Sequence, residues 1–163
     1  MQYTRCETSF GSIYVAWTER GIACLSAEET TDEAFLARCR ACTGKTPARD
    51  DSRRAELQRM LQGWLDGEPY EGPIDLSPLS PFDREVLTAC RAIPRGQVRT
   101  YAELAAAAGR PRAARAAGNA LRRNPVPLLI PCHRVVRKDG SIGQFSMGGP
   151  EVKRRLLELE GAR

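Results

Sequence analysis

Short runs of hydrophobic residues, separated by polar and glycine-containing segments, predict β-strands at the start of the chain. The first 26 residues are expected to form strands. Two segments indicate this, the β-branched and aromatic run at 12–17 and the apolar run at 21–25. The Thr-Glu-Arg-Gly segment at 18–21 between them has the composition of a hairpin turn. The pattern therefore predicts a β-hairpin.

The hydrophobic spacing then changes to that of helices. Apolar residues three and four apart predict a helix over 34–42, which either Thr31 or Asp32 could cap. A polar stretch follows, and the same spacing predicts a second helix over about 52–65. Together with the hairpin, these helices predict a small α/β domain over residues 1–75.

The segment 67–81 has the proline- and glycine-rich composition of a linker, so we place a domain boundary there. The second domain, residues 76–163, is predicted to be mainly helical. Its first helix is signalled by Ser80 as a cap and Pro81 at the first helical position.

Two short helices joined by a glycine-containing turn follow in this second domain. Thr100 and Glu103 form a capping-box pattern at the start of a helix over 101–108, and a helix over 112–123 follows a Gly-Arg-Pro turn. The arrangement is a helix-turn-helix signature. The second helix is rich in alanine with Arg115 as its central long side chain, which suits the minor groove of DNA. Tight packing of the alanines on the core is the alternative.

Charge is unevenly distributed between the two predicted domains. Residues 1–75 carry 9 Lys/Arg against 13 Asp/Glu, whereas residues 76–163 carry 16 against 7. Between Arg91 and Arg137 there are ten arginines and one acid. This basic half favours nucleic acid as a partner over a merely soluble basic surface. The sequence contains no apolar run long enough to span a bilayer and no export signal, so we expect a cytoplasmic protein that does not bind membranes.

Six cysteines raise the question of a disulfide framework or a metal site. Reduced thiols are expected in a chain of this size without a secretion signal. Cys39 and Cys42, with Cys6 and Cys24 upstream, could in principle form a four-thiolate zinc site. The pair lies inside a predicted helix and the other two lie in predicted strands, so we expect no metal.

The clearest candidate for chemistry is the pair Cys132 and His133, the single histidine of the sequence. A thiol needs a neighbouring base to react at neutral pH, and an imidazole is the usual one. Three prolines stiffen the surrounding segment 124–136 and favour a fixed turn. Because most cysteines are buried packing residues, an incidental thiol remains the alternative at this point.

Several segments of the second half closely resemble the O6-alkylguanine-DNA alkyltransferases, also called methylated-DNA–protein-cysteine methyltransferases. They are G-Q-V-R-T-Y-A-E-L-A (96–105), R-A-A-G-N-A (115–120), N-P-V-P-L-L-I-P-C-H-R-V-V (124–136), D-G-S-I-G (139–143) and K-R-R-L-L-E-L-E-G (153–161). The first half resembles the family only loosely, at 8–16 and 19–22. The resemblance implies an RNase H-like first domain and a winged-helix-like arrangement around the helix-turn-helix.

The resemblance also implies a DNA repair activity. An alkyl group would move irreversibly from the O6 oxygen of guanine to Cys132, once per molecule and without a cofactor. His133 would accept the thiol proton through a water, and Glu160 would orient His133. Tyr101 would protonate the departing guanine, and Asn124 would fix the turn that carries the cysteine.

The implied partner is double-stranded DNA containing O6-alkylguanine, bound by a monomer that could also cluster on DNA. The damaged nucleotide would be flipped out through the minor groove, with Arg115 taking its place in the stack. The further residues implied in DNA binding are Arg95, Arg99, Ala116, Arg122 and Arg123. Those implied in the alkylguanine pocket are Val135, Phe145 and Ser146.

Two departures from the family pattern leave the range of alkyl groups open. Phe145 stands where the family usually has a tyrosine, and the loop 146–152 is about one residue longer than in some relatives. Three alternative functions fit the sequence less well. Cys132 argues against a non-catalytic lesion binder, and the alanines of 112–123 argue against a base-reading regulator. A Cys-His hydrolase would not explain the concentration of arginines.

Overall fold

The structure, a computed structural model, describes residues 1–143, 145 and 147–162. The chain forms two compact units, Met1–Pro78 and Leu79–Arg163. The first unit contains a four-stranded sheet and two helices, and the second is mainly helical. A small α/β sheet domain followed by a helical domain was the fold class predicted from the sequence.

The sheet of the first unit has the strand order β3-β2-β1-β4. Its strands are β1 (Gln2–Thr8), β2 (Gly11–Thr18), β3 (Gly21–Ser26) and β4 (Ala48–Arg49). β1, β2 and β3 pair antiparallel, which confirms the predicted hairpin between β2 and β3. β4 pairs parallel to β1 within the polar stretch where no strand was predicted, because two residues are too short to show a period.

Two helices complete the first unit, α1 (Asp32–Thr43) and α2 (Arg54–Leu65). Thr31 caps α1, since its side chain accepts a hydrogen bond from the Ala34 amide at 3.2 Å. Phe35 of α1 stacks on Tyr14 of β2 with ring centroids 4.9 Å apart, at the centre of a buried cluster. Helix and sheet are thereby joined by aromatic packing.

The predicted linker is docked on the first unit as far as Pro78. The Ile22 amide donates to the Pro73 carbonyl at 3.1 Å, and the Asp75 amide donates to the Ile22 carbonyl at 2.8 Å. The Thr18 hydroxyl donates to the Asp75 carboxylate at 2.6 Å. Proline and glycine therefore mark an irregular but ordered extension of the sheet edge.

The second unit contains α3 (Pro81–Arg91), β5 (Arg99–Thr100), α4 (Tyr101–Ala107), α5 (Ala114–Arg122), β6 (Val135–Val136) and α6 (Gly149–Leu159). The cap at Ser80 and the capping box of Thr100 and Glu103 are both confirmed. α5 begins at Ala114, two residues later than predicted, and Ala113 provides no side-chain cap. α4, α5 and α3 pack on one another, so the two short helices share one core.

The short strands β5 and β6 pair in parallel and position the site. Arg99 lies opposite Val135, and Thr100 lies opposite Val136. The pairing connects the start of α4 with the chain that follows Cys132. Among the residues that the structure describes, no helix combines the length and apolar character needed to cross a bilayer.

Candidate active site

The turn before Cys132 is closed by the buried side chain of Asn124. Its Nδ2 donates to the Ile130 carbonyl and its Oδ1 accepts from the Val126 amide, both at 3.0 Å. Leu128, at the tip of this turn, has a left-handed backbone with φ 75°, which is uncommon for a branched residue. An uncommon backbone conformation persists where the surrounding structure holds it, and here the two hydrogen bonds of the Asn124 side chain do so.

Cys132 begins a single 3₁₀ turn, Cys132–Arg134, that leads into β6. Its amide donates to the Ile130 carbonyl at 2.8 Å, and the residue is 5% exposed. His133 is fully buried, and its Nε2 lies 2.8 Å from Glu160 Oε1. The predicted orienting contact between Glu160 and the imidazole is therefore present in the structure.

Arg134, which is not among the residues predicted from the sequence, holds the same carboxylate. Its Nη2 donates to Glu160 Oε1 at 2.7 Å, and its Nε donates to Oε2 at 3.0 Å. Its Nη1 donates to the Ile93 carbonyl at 2.7 Å. Glu160 is thus clamped through both oxygens, as arginine forks do with carboxylates. The position next to His133 was the one sequence signal that could have indicated this residue.

The protonation states of this buried group follow from its contacts. Burial tends to raise the pKa of Glu160, but hydrogen bonds from His133 and Arg134 outweigh it and hold that pKa at about 2. Burial lowers the pKa of His133 by more than the Glu160 contact raises it. At neutral pH the pair is therefore a carboxylate and a neutral imidazole. When Nε2–H is directed at Glu160, the Nδ1 lone pair is the site that can accept a proton.

Lys153 of α6 is a second residue that the sequence analysis missed. It is 1% exposed, and its Nζ donates to the Val135 carbonyl at 2.5 Å. Burial lowers its pKa to about 8, while the thiols of Cys132 and Cys90 act in the opposite direction. An ammonium here and a thiolate at Cys132 therefore stabilise each other. A lysine at a core position of α6 was the available sequence signal.

Cys132 lies in the wall of a cavity of about 370 Å³. Tyr101, Arg115, Arg122 and Phe145, all predicted site residues, line the same cavity. Arg137 lines it as well and was not predicted. Burial raises the pKa of Tyr101, and a charge at Cys132 raises it further, against the opposing effect of Arg137 and Arg122. The phenol therefore keeps its proton at neutral pH and can donate it.

The predicted DNA-binding arginines differ in their surroundings. Arg115 and Arg122 are exposed at the cavity, and Ala116 is exposed beside Arg115. Arg99 donates to its neighbouring Val98 carbonyl at 2.9 Å and to Gln97 Oε1 at 2.8 Å. Arg95 is half-buried. Exposure at the cavity thus favours Arg115 and Arg122 as contacts to DNA.

Arg123 is engaged within the protein. It donates to both carboxylate oxygens of Asp83 at 2.8 Å, and the Asp83 side chain is 7% exposed. A guanidinium held in this way anchors the end of α5 to α3. The Arg123 side chain is itself 55% exposed, so its role as a phosphate contact stays a prediction.

Most of the predicted residues fall into two groups. Tyr101, Arg115, Arg122, Cys132 and Phe145 meet at the cavity, while Asn124, His133, Val135 and the side chain of Glu160 are buried around the turn that carries Cys132. Arg95, Arg99, Ala116 and Arg123 belong to neither group. Ser146, also predicted in the pocket, lies outside the described residues.

No cluster of His, Cys, Asp or Glu in the described part of the chain has the arrangement of a metal site. Cys24 and Cys39 belong to the hydrophobic cluster of the first unit. No disulfide links the six cysteines, all of which are among the described residues.

Comparison with known proteins decides the family. A family model described as "6-O-methylguanine DNA methyltransferase, DNA binding domain" matches residues 81–162. The chain is similar to the methylated-DNA–protein-cysteine methyltransferase of Rattus norvegicus, at 36% identity over 99% of this chain and 82% of the relative. It is 34% identical to the constitutive methylated-DNA–protein-cysteine methyltransferase of Bacillus subtilis, over 97% of this chain and 94% of the relative. The chain belongs to the methylated-DNA–protein-cysteine methyltransferase family.

A solved structure extends the similarity of this family member to both units. The crystal structure of Mycobacterium tuberculosis OGT in complex with DNA matches it with a TM-score of 0.81 at 29% sequence identity. The match covers 99% of this chain and 93% of that chain. The family resemblance is therefore a property of the fold as well as of the short motifs.

Proposed function

We propose that the protein is a methylated-DNA–protein-cysteine methyltransferase that repairs DNA by taking an alkyl group from the O6 oxygen of guanine onto Cys132. Family membership supports the activity. The observation that carries the choice of residue is the position of Cys132 in a cavity, followed directly by a buried imidazole that Glu160 holds at 2.8 Å. The arrangement is that of a nucleophile, a base and a residue that orients the base.

In the proposed reaction, the Cys132 proton moves to Nδ1 of His133 through a water, and Glu160 stabilises the imidazolium. The thiolate then attacks the alkyl carbon in line with its bond to O6. The S–C bond forms as the C–O6 bond breaks, and the electron pair stays on the purine, which takes a proton from Tyr101. The product is a stable thioether, so each molecule reacts once and no cofactor is needed.

The proposed partner is double-stranded DNA containing O6-alkylguanine. The target atom is inaccessible inside the duplex, so the nucleotide must be rotated out of the stack. The cavity has the volume of a small-molecule pocket and exposes Arg115 and Arg122 at its edge. We assign Arg115 to the vacated position in the stack and α5, with Ala116, to the minor groove. Arg95, Arg99 and Arg122 would contact phosphates.

The finer fold assignment is part of the same proposal. The antiparallel β1–β3 ribbon with its helices supports an RNase H-like first domain over 1–75. The α4–turn–α5 pair beside the small β5–β6 sheet supports a winged-helix-like domain over 76–163. The Val135 backbone and the Phe145 ring, with Ser146, would bind the extruded guanine. The protein would act as a monomer.

Intact-mass spectrometry after incubation with duplex DNA bearing one O6-methylguanine tests the proposal. We expect the protein to gain the mass of a single methyl group, and Cys132→Ala to abolish the gain. Cys42→Ala, which removes a partly exposed thiol of the first unit, should retain it. Binding without an adduct would favour the lesion-binding alternative, and repair of many lesions per molecule would exclude a self-alkylating protein.

A second experiment tests the position of Arg115. Arg115→Ala should slow transfer from duplex DNA bearing O6-methylguanine much more than transfer from free O6-methylguanine, because only the duplex requires extrusion of a base. Arg112→Ala, an exposed charge removed just before the same helix, is the control. Equal losses with both substrates would exclude the proposed role of Arg115.

A further inference from the structure

Arg137 is a cation at the cavity whose place is set by the pairing of the two short strands. β5 and β6 are parallel and in register, with Thr100 opposite Val136. Tyr101 and Arg137 directly follow this pair of residues, and both line the cavity. The end of the two-stranded sheet therefore brings the start of α4 and the chain after β6 to the same cavity.

Gly143 shows that the two side chains also converge. A Cβ built on Gly143 would lie 3.4 Å from Arg137 Nε and 3.6 Å from the Tyr101 hydroxyl oxygen. The Gly143 backbone is left-handed, with φ +75°, a conformation that favours glycine. The guanidinium stem and the phenol oxygen therefore border the same small space.

The backbone of Arg137 is held by a tight turn. Its amide donates to the Ser141 carbonyl at 3.1 Å, and its carbonyl accepts from the Gly140 amide at 2.9 Å. The Asp139 carboxylate accepts from the Ser141 amide at 2.9 Å, which closes the same turn. The base of the long side chain is thus fixed close to Tyr101.

The charges that face Tyr101 come from three elements. Cys132 approaches from the 3₁₀ turn, Arg122 from α5 and Arg137 from the chain after β6. Burial and Cys132 raise the pKa of Tyr101, and Arg137 is the first of the two arginines that lower it. Arg137 itself also faces Asp139 of its own turn and Lys153 of α6.

We propose that Arg137 is a positioning residue for Tyr101, whose guanidinium stabilises the phenolate left when Tyr101 gives its proton to the departing guanine. The inference rests on the proposed function. As the S–C bond forms and the C–O6 bond breaks, the purine takes the electron pair and the phenol proton. The negative charge then lies on the Tyr101 oxygen beside Arg137, until solvent returns a proton after the base has left.

The test is a double-mutant cycle measured with free O6-methylguanine, because this substrate carries no phosphate for Arg137 to bind. Single-turnover rates are compared for wild type, Arg137→Gln, Tyr101→Phe and the double variant. Lys138→Gln is the matched control, since it removes an exposed charge from the adjacent position. Arg137→Lys tests rescue by a conservative change.

We expect Arg137→Gln to react about tenfold more slowly than wild type, the effect of one nearby charge on a developing anion. Lys138→Gln should match wild type, Arg137→Lys should recover part of the rate, and Arg137→Gln should have no further effect when Tyr101 is phenylalanine. The same loss in the Tyr101→Phe background, or a loss no larger than that of Lys138→Gln, would overturn the inference. Failure of the proposed function is distinguishable, because wild type would then form no adduct at Cys132 with duplex DNA bearing O6-methylguanine either.

Discussion

The guanidinium of Arg134 and the imidazole of His133 bind the same oxygen, Oε1 of Glu160, at 2.7 and 2.8 Å. Arg134 also binds the second oxygen, so the carboxylate carries a full counter-charge before His133 takes up a proton. The charge on Arg134 contributes to lowering the pKa of His133, after the larger effect of burial. The base is thereby kept neutral and able to accept a proton from Cys132.

Arg134→Met should therefore impair proton acceptance by His133. Without the guanidinium, the pKa of His133 rises and more of the imidazole is already protonated at neutral pH. We expect slower alkyl transfer at pH 7, partly recovered at higher pH, and a loss of about 3 kcal/mol in the free energy of unfolding from breaking a buried ion pair. Single-turnover rates across pH measure the first effect. Arg154→Met, which removes an exposed partner of Glu151, is the control, and a rate loss that pH does not restore would contradict the prediction.

The low pKa of Glu160 should make the folded protein less stable in acid. Its folded pKa of about 2 lies below the unfolded value of roughly 4.3, so the folded state favours the ionised carboxylate. The stabilisation is present above the unfolded pKa and is lost as pH falls from about 5 to about 2. At pH 7 the free energy of unfolding of wild type should exceed that of Glu160→Gln by about 2–3 kcal/mol. This difference should shrink as the pH falls from about 5 to about 2. Urea unfolding at several pH values measures it, and a constant difference would contradict the prediction.

Lys153→Met should change stability and reactivity in opposite directions. The folded pKa of about 8 is below the ordinary lysine value, so burial of the ammonium destabilises the folded protein at neutral pH. Removing it should raise the free energy of unfolding by about 1–3 kcal/mol. The same change removes a positive charge that acts on Cys132, so alkylation of Cys132 by iodoacetamide at pH 7 should become slower. Arg155→Met on the same helix is the control, and slower reaction with lower stability would indicate a merely structural role.

The sequence predicted those parts of the fold that have a local cause. Thr31, Ser80 and Thr100 cap helices because their side chains accept hydrogen bonds from nearby amides, which is a property of a few adjacent residues. β4 and the docking of residues 73–75 depend on partners that are distant in sequence. A two-residue strand is too short to show a periodic pattern, and the hydrogen bonds of residues 73–75 to Ile22 leave no pattern in the sequence. Neither feature could therefore be predicted from the sequence.

The candidate site shows the same division. Cys132, His133 and Glu160 were recognised from motifs, but the pairing of Thr100 with Val136 that brings Arg137 beside Tyr101 is visible only in three dimensions. Arg123 shows a contact that the sequence did not reveal. A basic sequence suggests phosphate binding for every arginine, whereas the carboxylate of Asp83, 40 residues away in sequence, holds this one.

Arg122 and Arg123 are adjacent arginines with different expected roles. Arg122→Ala should weaken binding to duplex DNA and reduce the slope of log affinity against log salt by about 1, as loss of one phosphate contact does. Arg123→Ala should leave that slope unchanged. It should instead lower the free energy of unfolding by about 1 kcal/mol, because Asp83 loses its partner. Fluorescence anisotropy at several salt concentrations and urea unfolding separate the two effects, and identical salt slopes for both variants would contradict the assignment.

Gly11 and Gly21 form a matched pair in the first unit, since both have positive φ, +119° and +131°. A Cβ on Gly11 would meet no atom within 4 Å, whereas one on Gly21 would lie 2.3 Å from the Pro73 carbonyl oxygen. Gly11→Ala should therefore cost only the backbone strain, about 1–2 kcal/mol. Gly21→Ala has the same strain and must also displace the backbone of residues 73–75, which breaks their hydrogen bonds to Ile22.

For Gly21→Ala we expect an additional loss of about 2 kcal/mol in the free energy of unfolding, from two broken backbone hydrogen bonds, together with faster amide hydrogen exchange at Ile22 and Asp75. Equal losses for the two variants, with unchanged exchange at those amides, would show that residues 73–75 do not stabilise the edge of the sheet.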